Sequence, residues 1–571
     1  MHQLSPQDAQ FLYAETEHNL THVTSVAIYD PSTVPGGATV RYRDIIAHVK
    51  DRLQYNPLLL RRLLRLPLEI DYPYWVEDEF FDLEYHMQHG RLPEPGDWRQ
   101  FCIHMARYHS RPLDMNRPPW EIFVVEGLDH VDGLPAGCYA IATKIHHAAV
   151  DGASLMKFFA SMADSDPYGT PMIPLEAPNI ESAEVPELSA IMSRAVRNNL
   201  RSPLNIARTV MRAAPGLVQA AQESVARRGG EDEKKSVPPT RFNVDLSPHK
   251  MFDARDVPLD DLKRLRALQP GATINDVVLA ICSGALRRYL QHHDELPQES
   301  LVAWVPINAR PSGSDGGDMP GNNISAMTTA IFTDEPDPQK RLQRIQQSTR
   351  ASKEARSGVS ARLMTDITKH VPAATQVLAS RLLVSSGTAA RMCNLFISNV
   401  PGPQIPMYMN GARMVRSVGL APLADGMGLF IGTPSYDGKM SFNVISTREV
   451  LPDIEFFMQC IDASLAELLA LLPAAGAASV KRAPGGKASE AKQRRQSAVK
   501  ATGTSRATTK TKAKTKTKAK TKAKTRATAK SKAATKTKTT TKPKASTKAK
   551  ARPKAKAKVK AKARPKAKAS G

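Results

Sequence analysis

The chain has 571 residues, and its 80 Lys and Arg outnumber 55 Asp and Glu for a formal net charge of +25. The excess is confined to one end: residues 481–571 hold 34 basic side chains and a single acid, Glu490, so the first 480 residues carry 46 basic and 54 acidic groups, a net of −8. That split excludes a uniformly basic nucleic-acid binder and describes a mildly acidic body, long enough for two or three domains each with its own core, joined to a strongly basic tail.

Cys102, Cys138, Cys282, Cys393 and Cys460 lie far apart with no CxxC spacing, so neither a zinc site nor a disulfide framework is indicated and a reducing compartment is expected. The opening MHQLSPQDAQ lacks the basic and apolar regions of a secretion signal. The most apolar stretch, ASLAELLALLPAAGAASV, carries Glu467 and is cut by Pro473, which leaves it short of the ~20 uninterrupted residues a bilayer span requires. The expected location is cytoplasmic, soluble or peripheral to a membrane or lipid inclusions.

In chain order, residues 1–165 alternate strand and helix patterns. HVTSVAIYD (22–30) and GCYAIATKI (137–145) read as strands, RYRDIIAHVKDRL (41–53) as an amphipathic helix, and ASLMKFFASMAD (153–164) as a helix with Leu155, Phe158, Phe159 and Met162 on its apolar face. Residues 166–240 form a connector, extended and rich in Pro and acids at first, then helical over 189–228, then a loop, RRGGEDEKKSVPP. The second α/β region, 241–475, holds a long amphipathic helix in TINDVVLAICSGALRRYLQHH, capped by Thr273 or Asn275. Strands follow in LVAWVPINA, NLFISNVPG and KMSFNVIST, with a closing helix in IEFFMQCIDASLAELLALL. Mixed helix and strand without regular βαβ spacing predicts an α+β fold of two lobes rather than a doubly wound sheet. The tail, 476–571, alternates Lys with Ala and Thr; it buries too little apolar surface to offset its ordering entropy, and disorder is expected.

The chemistry-bearing stretch is ATKIHHAAVDGAS (142–154), two adjacent histidines ahead of an Asp-Gly pair. A metal role is disfavoured: adjacent side chains at a strand end point to opposite faces, so His146 and His147 grip one ion poorly, and no third ligand sits at a familiar spacing. No metal is therefore expected. On the motif alone a structural role stands level with a catalytic one, because QHHDE (291–295) repeats the pair and HVDG (130–133) repeats His before Asp-Gly. Position favours chemistry: the pair ends an apolar strand, precedes a tight turn and leads into a helix. A histidine there titrates near neutral pH and suits general-base work. Gly152 permits close backbone approach, and Asp151 is placed to fix the turn through backbone bonds or an arginine.

HHAAVDG is similar to the HHxxxDG motif of the CoA-dependent acyltransferase superfamily, which includes chloramphenicol acetyltransferase and peptide-synthetase condensation domains. Within it the chain resembles the bacterial wax ester synthase/acyl-CoA:diacylglycerol acyltransferase family. LSPQDAQFLYAE (4–15) resembles that family's SPxDxxFL opening. RPLDMNRPPWE (111–121) resembles its PLDxxxPLW segment with Pro119 in place of Leu, and Asn275-Asp276 its ND motif. VPINAR (305–310), GNNIS (321–325) and SNVPGP (398–403) resemble its C-terminal signatures. The resemblance spans residues 4 to about 470, in the family's order.

It implies two chloramphenicol-acetyltransferase-like lobes with a tunnel between them. His147 would be the general base that takes the proton of an alcohol, which then attacks the thioester of acyl-CoA. His146, Asp151 and Gly152 would frame the loop, Asp151 through a salt bridge to Arg310, with Asn275 and Asp276 as support from the second lobe. Acyl-CoA is then a substrate rather than a cofactor, and the acceptor is diacylglycerol or a long-chain alcohol. Two rivals stand beside this reading. A condensation-type acyltransferase with a carrier-bound donor is opposed by the ND and SNVPGP motifs. A non-enzymatic protein binding polyanions or lipid granules is opposed by the intact His147, Asp151 and Gly152. The tail, with lysine at every second or third position, is expected to bind DNA or anionic lipid non-specifically by counterion release.

Overall fold

The computed structural model of the chain describes residues 2–150, 152–175, 189–201, 203, 237–308, 324–356, 371–385 and 392–473. Within them the fold is α+β, with two six-stranded sheets and a three-stranded ribbon. In the first sheet, Tyr139–His146 lies between His22–Asp30 and Trp120–Glu126, pairing antiparallel with both. Met87–Arg91 extends one edge. Every residue of Tyr139–His146 is buried, as a central strand covered on both faces requires.

One face of this sheet packs on three helices, Pro6–Tyr13, Tyr42–Leu53 and Gly152–Met162, in a core that includes Leu12, Ile45, Val49, Trp120, Ile141, Ile145 and Phe158. The other face packs on the helix Trp98–His109, whose Phe101 and Met105 join a core that also takes in Phe252, Ala254 and Ile445 from the second lobe. One apolar core thus runs across the junction between the lobes.

The second sheet has the order Ile324–Ala330, Val302–Asn308, Leu395–Val400, Leu429–Tyr436, Lys439–Thr447, Lys250–Pro258. Leu395–Val400 runs parallel to both neighbours and the remaining pairs are antiparallel, a mixed sheet that fits α+β rather than doubly wound topology. Its central helix, Ile274–His292, is apolar on nearly all sides, with Val277 to Leu286 buried without a break, because sheet and neighbouring helices enclose it. Thr273 is its N-cap: the Thr273 hydroxyl accepts from the Asp276 N–H while the Asp276 carboxylate accepts from the Thr273 N–H, a capping box.

Chain order and spatial order part among the described residues. Residues 408–420 fall in the stretch assigned from sequence to the second lobe, 241–475, yet Ala412–Leu420 pairs with His22–Asp30 and completes the first sheet, followed outward by Tyr408–Met409. The reason is hydrogen bonding: without Ala412–Leu420, His22–Asp30 would be an open edge with unpaired backbone groups. The crossover is reinforced where Trp98 Nε1 donates to Asp253 Oδ1 at 2.8 Å and the Arg416 guanidinium stacks 3.8 Å over the Trp98 ring while pairing with Asp256 at 2.9 Å. The basic tail lies outside the described residues.

Candidate active site

The loop carrying the two histidines is a turn at the end of a fully buried strand. The Ala149 N–H returns to the His146 carbonyl at 2.9 Å, and the His146 N–H donates to the Pro119 carbonyl at 3.0 Å. Because Pro119 contributes only its carbonyl oxygen to that bond, a proline there serves as well as a leucine. Trp120 next to it is wedged in place, with Nε1 donating to the Leu59 carbonyl at 2.8 Å and its ring stacked on His86 at 4.5 Å. The quoted PLD segment is thus one wall behind the histidine loop.

His146 is buried, 1% exposed, and both of its ring nitrogens are engaged. Nδ1 accepts from the Ala148 N–H at 3.0 Å, so the ring proton sits on Nε2. Nε2 faces Glu15 Oε1 at 3.2 Å and Thr21 Oγ1 at 3.2 Å. Glu15 also accepts from the Thr21 backbone N–H at 2.8 Å, and the Thr21 hydroxyl donates to the Phe11 carbonyl at 2.9 Å. Burial alone would push the Glu15 carboxyl up, but the hydrogen bonds from His146 and the Thr21 N–H outweigh it and hold the group below its ordinary value.

His147 is the first residue of the turn that follows the strand. Its backbone N–H donates to the Thr21 carbonyl at 3.0 Å, and its ring lies flat on that of Phe11, centroids 4.0 Å apart and planes 11° apart. It is only partly buried, unlike its neighbour. The strand ends at His146, so one imidazole is taken into the frame while the other sits in the turn, partly exposed.

The groups that hold both histidines come from the segment opening the chain. Ser5 caps the helix Pro6–Tyr13, accepting from the Asp8 N–H at 3.1 Å, with Pro6 in its first turn. Ala9, Leu12 and Tyr13 face the core, which turns Phe11 toward His147. Glu15 follows the helix end, and Asn19 ties the following loop by donating from Nδ2 to the Ala14 carbonyl at 3.1 Å. Sequence reasoning quoted LSPQDAQFLYAE but gave its Phe11 and Glu15 no role, and it passed over Thr21. A signal was available in the unpaired acid closing the motif, though only the fold shows which group it meets.

Beneath the loop, the same strand buries Lys144 completely, its Nζ 3.1 Å from Glu121 Oε2 and 3.1 Å from the Arg111 carbonyl it donates to. Burial pulls the ammonium below its ordinary value, and Glu121 opposes that pull. On the adjacent strand His22, opposite His146 in register, has Nε2 2.6 Å from the His109 carbonyl, and His109 Nδ1 lies 2.9 Å from the Thr24 hydroxyl. Burial drives both imidazoles toward the neutral form, His109 to about 3.

The remaining residues singled out from sequence fall as follows. Gly152 begins the helix Gly152–Met162. Asp151 and Arg310 lie outside the described residues. Asn275 and Asp276 occupy the first turn of Ile274–His292, where Asp276 is buried. One of its oxygens accepts from Thr273, through N–H and hydroxyl at 2.8 Å each, and the other from the Thr349 hydroxyl at 2.6 Å. Those partners all belong to the second lobe, and no hydrogen bond among the described residues joins Asp276 to the histidine loop. The second histidine pair ends that helix, where His293 Nε2 lies 3.1 Å from Asp453. Among the described residues no cluster of three or more His, Cys, Asp or Glu is arranged to hold a metal, and no helix is long and apolar enough to cross a membrane.

Comparison with known proteins agrees with this geometry. The catalytic-domain profile of the wax ester synthase/diacylglycerol acyltransferase family matches residues 4–278, and the profile of its C-terminal domain matches residues 320–469. A Mycobacterium tuberculosis protein with the provisional name diacylglycerol O-acyltransferase Rv1760 is 32% identical over 477 residues, covering 82% of this chain and 90% of its own length. Another from that organism, provisionally named diacylglycerol O-acyltransferase Rv3480c, is 32% identical over 513 residues, 83% of this chain and 99% of its own. Among solved structures, the wax ester synthase/diacylglycerol acyltransferase of Marinobacter aquaeolei VT8 superposes with a TM-score of 0.55 at 27% identity, covering 82% of this chain and 98% of that one. With its two lobes, its ordered motifs and its histidine loop accounted for together, the chain belongs to the wax ester synthase/diacylglycerol acyltransferase family of enzymes.

Proposed function

We propose that the protein transfers a long-chain acyl group from acyl-CoA to the free hydroxyl of diacylglycerol, with long-chain alcohols as a second class of acceptor, and that His147 is the general base. The observation that carries the reading is the contrast between the histidines: His146 is buried with both nitrogens engaged inside the frame, while His147, in the turn beyond the strand, is partly exposed and rests on the Phe11 ring. An imidazole nitrogen of His147 takes the hydroxyl proton as the oxygen attacks the thioester carbonyl. The new C–O bond forms, the C–S bond breaks, and the imidazolium returns its proton to the departing CoA sulfur. Asp151 fixes the turn, through Arg310 in this proposal, and Asn275 and Asp276 give structural support from the second lobe.

The acceptors are lipids, so the enzyme works at a membrane or lipid-inclusion surface. We assign the basic tail the role of holding it there, or on another polyanion such as DNA, through lysine charge. Almost no aromatic residue interrupts that tail, which disfavours sequence-specific reading of bases.

The test is His147→Ala, assayed with palmitoyl-CoA and either diacylglycerol or hexadecanol by release of free thiol. Loss of a general base lowers turnover by about 10²–10⁴-fold, with the denaturation midpoint unchanged. Near-complete retention of esterification would refute the mechanism.

A further inference from the structure

Phe11 has no part in the chemistry so far, yet its ring is the surface on which His147 rests, 4.0 Å between centroids and 11° from parallel. Two features make this more than packing. The backbone of the same segment holds both residues, because Thr21 accepts the His147 N–H through its carbonyl and donates to the Phe11 carbonyl through its hydroxyl. The ring's position over the imidazole is therefore set from both ends. The electrostatics also differ between the two states of the imidazole. A neutral ring gains only stacking dispersion from a phenyl face, whereas a cation over that face is attracted by the ring quadrupole.

We propose that Phe11 is a positioning residue for the reaction, its face fixing the plane of the His147 ring and stabilising the imidazolium that forms when the hydroxyl proton is taken. The inference rests on His147 being the base. Phe11 touches no substrate atom in this scheme; it acts on the group that does. Its place in the helix Pro6–Tyr13 explains why the opening motif, distant in sequence from the histidines, bears on the chemistry. A leucine at position 11 fills much of the same space but offers no such face.

The attraction of a partly desolvated cation to a phenyl ring corresponds to roughly a five- to thirtyfold equilibrium factor. Part of that is realised when proton transfer is incomplete in the transition state. Among the described residues, the groups around the loop that carry or accept charge are Glu15 on the opening segment, His146 on the strand and His22 on the adjacent strand. A change confined to the phenyl quadrupole leaves all of them as they are.

The experiment introduces phenylalanines with one, three and five ring fluorines at position 11 of the full-length protein, which drain the ring face of negative potential while nearly conserving its shape. Phe11→Leu and His147→Ala are measured beside them, with kcat, KM and the pH dependence of both followed by thiol release. The expected result is a graded fall in kcat, about three- to tenfold for the pentafluoro ring, with KM within twofold and denaturation midpoints unchanged. The acidic limb of the kcat profile should move down by roughly half a unit to one unit. Flat kcat and an unmoved limb across the fluorine series, with His147→Ala inactive, overturn the role of Phe11 and leave the base in place. An active His147→Ala overturns the reading on which the proposal rests.

Discussion

Replacing Glu15 probes the frame of the site without touching the base. Its Oε1 receives the Thr21 N–H at 2.8 Å and faces His146 Nε2 and the Thr21 hydroxyl at 3.2 Å each. In Glu15→Ala the Thr21 N–H loses that acceptor and His146 Nε2–H keeps only the Thr21 hydroxyl. A buried donor left unsatisfied costs about 1–3 kcal/mol, so one full and one partial loss come to roughly 2–4 kcal/mol, read as a lower urea midpoint. The loop is then free to shift, and displacement by about an ångström costs up to 10²-fold in rate, so kcat should fall by about ten- to a hundredfold. Glu15→Gln keeps a carbonyl acceptor and loses only the charge, about 1 kcal/mol. The pH dependence has a definite sign. The carboxyl is held below its ordinary value of 4.5, so its contribution is fully present above that pH and is lost as the pH falls through the lower folded-state value. The stability gap between wild type and Glu15→Gln should accordingly be constant at neutral pH and close below about pH 4.5. Wild-type urea midpoints and wild-type kcat in Glu15→Ala would refute the claim that this acid holds the loop.

Four further outcomes follow from the same structure. His147→Ala is expected to lose about 10²–10⁴-fold in turnover with an unchanged fold, and progressive fluorination of Phe11 to lower kcat in steps. Asp276→Ala removes the carboxylate half of the capping box and the Thr349 bond within the second lobe, so it should lower stability by about 2–3 kcal/mol in urea titrations while kcat of the remaining folded enzyme changes less than about threefold; a far larger fall in kcat would place Asp276 in the chemistry. Deleting residues 481–571 should abolish sedimentation with anionic vesicles or DNA at low salt, where counterion release is strongest, and leave turnover on a soluble acceptor intact; unchanged partitioning would sink the tethering role.

The division between what was readable and what was not runs through individual residues. His22–Asp30 and Tyr42–Leu53 were legible because each has a single dominant period, two for the strand and 3.6 for the helix, and Ile274–His292 because a long apolar run follows a capping residue, Thr273. The ordered motifs made the two-lobed α+β class legible as well. The burial of His146 follows from its place at the end of an apolar strand, a local pattern. Other features were not local. That Ala412–Leu420 belongs to the first sheet depends on which strand edge is left open, and nothing in its own nine residues carries that information. That Glu15 meets His146 across 131 positions, and Phe11 meets His147 across 136, depends on how a capped helix docks against a sheet. Sequence patterning by itself determined the elements and the residue types able to do the chemistry, because backbone periodicity and caps act over a few residues. Only the tertiary structure decided which side chains became neighbours, because burial and backbone pairing are satisfied by the whole chain at once.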